Sequence, residues 1–263
     1  MSTIVKVTGT AWASMASFSG VTASSIVSID GQLAPASATG ITLTDITDTY
    51  GRQRFYTTDP IVVTLPSTAA VGDMVLMMFA FDYTGSSDKV ATPTNWTIIN
   101  SGGWGSSTSD AWIYLWWHEI TASTGSTVSI YPTVNLSRQA YVAWTTIMSN
   151  VNTTNPISIV GSEAISTGTT VTAPAVTAAN DGLFICIVAF DGDLGDPFAY
   201  SNSSFTLTAG GEQDSNGGGS TGKGLSAGWV YADITSGTST DDTDITANDS
   251  DGKVAGQFVL REA

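Results

Sequence analysis

His118 and Cys186 are the single histidine and the single cysteine of this chain, so the reactive sites it could build are few. His118 follows Trp116-Trp117 and precedes Glu119. A Ser-His-Asp hydrolase would need it, but no Gly-x-Ser-x-Gly elbow sits on a strand-to-helix turn. The segment reads as a strand, with His118 facing solvent or a tryptophan. Cys186 lies in the run Leu183-Phe184-Ile185-Cys186-Ile187-Val188. That setting predicts a buried core thiol, whereas a nucleophile needs a polar, partly exposed one. One histidine and one cysteine do not make a standard zinc site.

Carboxylates offer two further chemistries. Asp191, Asp193 and Asp196 in Asp191-Gly192-Asp193-Leu194-Gly195-Asp196 place three acidic groups at short spacing on a turn, a candidate for calcium, which takes six to eight oxygens. The run Asp249-Ser250-Asp251-Gly252 is a weaker version of the same pattern. Glycoside hydrolysis needs a pair of carboxyl groups flanking the scissile bond. Glutamate is scarce, at Glu119, Glu163, Glu212 and Glu262, and only Glu119 has aromatic neighbours. The expectation is therefore a protein that is not an enzyme and has no cofactor beyond this calcium candidate. Sugar binding is the more credible use of the aromatics. Trp104 sits in the loop Gly102-Gly103-Trp104-Gly105-Ser106-Ser107, where its flat face could stack on a glycan.

The elements that must position these residues are strands. Ser, Thr and Gly number 32, 39 and 27, or 98 of 263 residues, and aromatics make up 10%. Such a chain is neither a helical bundle nor disordered. Strands are expected near Ile61–Leu65, Met74–Asp82, Thr97–Ser101, Asp110–Ile120, Thr127–Tyr131, Gln139–Met148, Thr170–Val176, Leu183–Phe190, Ser204–Thr208, Ser226–Ala232, Thr243–Ala247 and Lys253–Arg261. In Tyr141 to Ile147 the alternation puts Tyr141, Ala143, Thr145 and Ile147 on one face and Trp144 on the other. The unbroken apolar run Met74 to Phe81 reads as a central strand covered on both faces. The fold class is all-β: an antiparallel two-sheet, jelly-roll-like β-sandwich over 59–263, with Trp112, Ile147, Cys186 and Phe258 in or near its core.

Residues 1–58 read as a separate, β-rich docking segment and linker. Short alternating stretches ended by glycine recur at Ile4–Gly9, Ser17–Val21 and Ile26–Gly31. A segment this small cannot bury a core alone. Its apolar residues Trp12, Phe18, Val21 and Ile29 are expected to form a docking surface against a partner or a sister subunit. Residues 32–48 read as a linker or extended arm.

Lys and Arg total 8 against 23 Asp and Glu, a formal net charge of −15. The basic residues are scattered, which argues against nucleic acid and anionic membrane surfaces. No run is long enough for a membrane span, and the first twenty residues lack a signal-peptide core. An acidic, Ser/Thr-rich β chain without an export signal suits a particle assembled in the cytoplasm and released by lysis.

A resemblance adds to this reading. Gly72-Asp73 before an apolar strand, Pro93 with Trp96-Thr97-Ile98-Ile99, Ala111 to Trp116, Trp144 to Ile147 leading to Asn155-Pro156-Ile157, Thr172 to Thr177 before Gly182-Leu183, Phe205-Thr206-Leu207, Ala227-Gly228 and Val254 to Leu260 occur in order. They resemble a recurrent jelly-roll-like β-sandwich module of tailed-phage virion accessory or fibre proteins and bacterial surface proteins. The resemblance implies a structural surface protein of a virion, such as a capsid decoration, head-fibre or tail-fibre component. Its implied partners are other virion proteins, with homo-oligomer formation. The alternative is a carbohydrate-binding adhesin that recognises host surface glycan.

Overall fold

A computed structural model of the chain describes residues 17–18, 21–22, 28–29, 32–33, 40–83, 90–106, 109–192, 198–215, 224–248 and 250–263. The chain divides into two compact units, Met1–Thr39 and Gly40–Ala263. In the first unit β1 (Ser17–Phe18) pairs with β2 (Val21–Thr22), and β3 (Ser28–Ile29) pairs with β4 (Gln32–Leu33), both antiparallel. Phe18 opposes Val21 and Ile29 opposes Gln32, eleven positions further on (29 − 18). The two residues between each pair are Ser19-Gly20 and Asp30-Gly31 in sequence, the composition that two-residue hairpin connections favour. Trp12 and the expected strand at Val5–Val7 lie outside the described residues.

The second unit contains only strands among its described residues. In its first half these are β5 (Thr42–Phe55), β6 (Ile61–Thr64), β7 (Met74–Asp82), β8 (Thr97–Ile98), β9 (Trp104–Gly105), β10 (Ala111–Glu119), β11 (Thr127–Ile130) and β12 (Leu136–Ser149). In its second half they are β13 (Ile157–Val160), β14 (Ala164–Ser166), β15 (Thr170–Ala173), β16 (Gly182–Asp191), β17 (Ala199–Asn202), β18 (Thr208–Asp214), β19 (Leu225–Ile234), β20 (Thr243–Thr246) and β21 (Lys253–Arg261). One six-stranded sheet has the order β5-β12-β7-β10-β8, with β9 also on β10. The other has the order β13-β21-β16-β19-β18, with β14 also on β21. Every pairing is antiparallel.

These orders show that the unit is built twice. In each half the first strand lies at the edge, next to the last strand, which is followed by the long apolar strand and then by its aromatic-bearing neighbour. Each half also has a short outer pair, β6 with β11 and β15 with β20. Sequence echoes are sparse but fall at matching places. Ala80-Phe81-Asp82 ends β7 and Ala189-Phe190-Asp191 ends β16. Val142-Ala143 in β12 matches Val254-Ala255 in β21, because each follows the partner of that phenylalanine. The turn after β10 closes with Thr121 and Thr124 hydroxyls 3.2 Å apart, and the turn after β19 closes with Thr235 and Thr238 hydroxyls 2.9 Å apart.

The apolar side chains sort into three layers. Between the two large sheets lie Leu76, Met78, Ile113, Leu115, Val142 and Trp144 from the first half, with Ile185, Ile187, Ala227, Trp229 and Phe258 from the second. On the outer face of the first sheet, Phe79, Phe81, Tyr114 and Trp116 pack under Ile61, Val63, Val128 and Ile130 of the β6–β11 pair. On the outer face of the second, Phe184, Cys186, Val188 and Val259 pack under Val171, Ala173, Ile245 and Phe198. Strand alternation places Trp144 in the first layer and Tyr141, Ala143 and Ile147 in the second, as the period-2 pattern requires. Trp112, Ile147, Cys186 and Phe258 are all buried, but they occupy three different layers.

Two boundaries differ from expectation. Residues 42–55 form β5, which runs alongside β12 from Thr42↔Ser149 to Phe55↔Leu136. They are not a linker, and the division between units falls at 39/40 instead of 58/59. Polar alternation hides the strand, because an edge strand needs few apolar residues. In the second half the expected strand at Ser204–Thr208 is replaced by β17 before it and β18 after it.

A close contact ties the halves together. A Cβ on Gly256 of β21 would lie 2.5 Å from Cζ3 of Trp104, whose ring fills that space. Gly256→Leu is expected to destabilise the body by about 1–3 kcal/mol through overpacking, read as a lowered urea midpoint. Gly40→Ala, where the nearest atom to a new Cβ would be 3.7 Å away, should leave the midpoint nearly unchanged.

Candidate functional site

Trp104 is not the exposed glycan contact that its Gly/Ser loop led us to expect. Trp104 is 5% exposed and belongs to the layer between the two sheets. The backbone N–H of Gly105 donates to Glu163 Oε2 at 2.7 Å, which fixes the loop inward. An indole buried on both faces presents none to a sugar. The Gly/Ser loop is there so that the chain can turn the ring into the core: Gly103 and Gly105 have φ of 77° and 147°.

A different place carries the open site. A groove of about 590 Å³ lies beside β11 in the first half. Its first wall is the outer side of β11, where alternation sends Val128 and Ile130 into the core and Thr127, Ser129 and Tyr131 outward. Tyr131 is 44% exposed. The segment Ala91 to Trp96 and residues of the turn Thr121 to Gly125 complete the lining. Asn95 at the rim has φ of 67°, a left-handed conformation that asparagine tolerates.

His118 and Trp96 form its ring surface. Trp112, Tyr114, Trp116 and His118 share the outer face of β10, two residues apart. Tyr114 stacks on Trp112 with centroids 6.4 Å apart and on Trp116 at 5.4 Å. His118 follows next in this row and stacks on the half-buried Trp96 at 5.5 Å and 28°. Its Nδ1 lies 2.9 Å from the carbonyl of Asn95, which can only accept, so Nδ1 carries a proton. Nε2 is 3.1 Å from the Thr124 hydroxyl, which donates to it when the imidazole is neutral. Thr124 in turn accepts from the N–H of Thr121. Both ring nitrogens are thus committed to holding the ring in place. Of the two settings expected for this strand histidine, solvent or a tryptophan, the structure shows the tryptophan, Trp96. The signal missed in the sequence was Trp96, which a turn after Pro93 brings against the end of β10.

The other candidates lie elsewhere. Cys186 is fully buried on the outer face of β16. Burial pushes its thiol up to about 12, against a smaller opposing effect from a hydrogen bond with Thr243. Glu212 accepts from the N–H of Phe198 at 3.0 Å, and burial raises its carboxyl above the ordinary range despite that bond. Asp193 and Asp196 lie outside the described residues, so the calcium turn is described only at Asp191. Near it the Lys253 ammonium is buried. It donates to the carbonyls of Gly168 at 2.8 Å and Asp251 at 3.1 Å and stands 4.3 Å over the Phe190 ring. Among the described residues no group of three or more His, Cys, Asp or Glu is placed to hold a metal ion.

The thiol gives a direct check on this assignment. Native protein at pH 8 should resist a thiol reagent, and unfolding in guanidinium should release one reactive group per chain. The folded thiol keeps its proton while the unfolded one ionises above its ordinary value of 9.0. This linkage stabilises the unfolded chain, so folding stability should fall as pH rises from 9 towards 12. Compared with known proteins, the chain matches no family model, no curated protein and no solved structure.

Proposed function

We propose that this chain is a structural surface protein of a tailed-phage particle, attached through residues 1–39 and displaying residues 40–263. The observation that carries the reading is the division of the chain into two units of very different kinds. The body holds three apolar layers of its own. The N-terminal unit has paired strands of two residues each and only 39 residues, too few to bury a core without a partner. Phe18, Val21 and Ile29 lie on these paired strands. Together with Trp12 they are the proposed docking residues, on a virion protein or on sister copies of this chain.

Other features support a display role. Both central sheets are covered on both faces, which gives a stiff block. A formal net charge of −15 favours solubility of a densely presented surface. The resemblance to virion and surface modules points the same way.

The test is a pair of truncations scored for folding and for incorporation into particles. Removing residues 1–39 should leave the thermal midpoint of the body within a few degrees and abolish incorporation. Removing 1–58 should also unfold the first half, because it strips β5 from β12. Incorporation of the shorter truncation at normal copy number would place the attachment in the body and overturn the reading.

A further inference from the structure

We infer that the groove beside β11 is a binding site for neutral carbohydrate. The two halves of the body provide an internal comparison. In the second half the edge of β20 is taken by β17, from Ala199↔Thr246 to Asn202↔Thr243. The strand brings Phe198 and Tyr200 over β19, whose outer face there is small, with Ser226 and Gly228. A Cβ on Gly228 would run into the Tyr200 hydroxyl. In the first half the aromatics stand on β10 itself, and among the described residues the corresponding edge of β11 meets an isolated bridge, Val90↔Pro132, in place of a strand. The groove lies beside β11, whose counterpart by strand order is β20, the strand that β17 pairs with.

The lining suits a sugar. Thr92, Thr94, Thr127 and Ser129 supply hydroxyls that can donate or accept, as a ring of sugar hydroxyls requires. Trp96, backed by His118, and the exposed Tyr131 supply flat apolar faces for the C–H side of a pyranose. No Asp, Glu, Lys or Arg occurs among the described lining residues, although the chain carries 31 such side chains (8 + 23). A formal charge of −15 further disfavours an anionic glycan. An extended peptide is a poorer occupant, because the N–H of Ala91 already donates to the Tyr131 carbonyl at 2.9 Å and closes one end of the free edge. This inference does not depend on the particle assignment.

The test uses the full chain labelled with ¹⁵N. The indole N–H signal of Trp96, assigned by its loss in Trp96→Phe, is followed during titration with maltohexaose, cellohexaose, mannohexaose and chitohexaose. Parallel titrations use an oligogalacturonate and a threonine- and valine-rich decapeptide. At least one neutral hexaose should shift the signal saturably at millimolar concentration. Followed through the backbone amide signals of Thr127 and Ser129 on the groove wall, Trp96→Ala should weaken that binding about tenfold. Thr127→Arg, at an exposed position on the groove wall, should abolish it with the amide spectrum otherwise intact. Three results would overturn the inference: silence from all four neutral probes, binding that survives both substitutions, or a response at Trp96 to the oligogalacturonate or the peptide alone.

Discussion

Everything in the body depends on the layer where the two large sheets meet. Once Leu76, Met78, Ile113 and Trp144 face Ile185, Ile187, Trp229 and Phe258, each sheet has spent one face on the other half. Its second face must then be covered too, because a face as apolar as Phe79, Phe81, Tyr114 and Trp116 cannot be left in water. That is why β7 and β16 are apolar along nearly their whole length and why each half carries its own outer strands. Burial of this extent is the dominant favourable contribution to folding, at roughly 25 cal/mol per Å² of apolar surface.

The two halves meet the same demand in different ways. On β10 the outer face is built of large rings in mutual contact, with Phe79 and Phe81 of β7 stacked among them. On β19 the equivalent side chains are small, and β17 brings the rings instead. The same exchange is visible on the last strands. Tyr141 pairs with Phe81 where Lys253 pairs with Phe190. Tyr141 stacks on Phe79 at 6.3 Å, while Lys253 puts a cation over Phe190. A buried ammonium is tolerated only when its donors are used and its charge is met, and two carbonyls and a ring face do so here.

His118 has the residue type of a catalyst, yet an amide carbonyl and a threonine hydroxyl hold both of its nitrogens. It acts as the backing for Trp96. Cys186 is similarly removed from chemistry by its surroundings: a thiol held at about 12 is no nucleophile at neutral pH.

Much of this was legible in the sequence, and the reasons are local. Met74 to Asp82 and Leu183 to Phe190 read as strands because an uninterrupted apolar run of that length has few other uses. Tyr141 to Ile147 revealed its two faces because strand alternation is fixed by the backbone. Cys186 was placed in the core by its apolar neighbours alone. Other features depended on contacts between distant residues. Polar β5 is a strand only because β12 lies beside it. Trp104 looked exposed because its loop is Gly and Ser, but its ring is buried against Gly256, which follows it by more than 150 positions. The two halves share a strand order with few matching residues, since packing constrains the pattern of burial more tightly than residue identity. The groove itself has no sequence signature: Trp96, His118 and Tyr131 converge only after three separate segments fold.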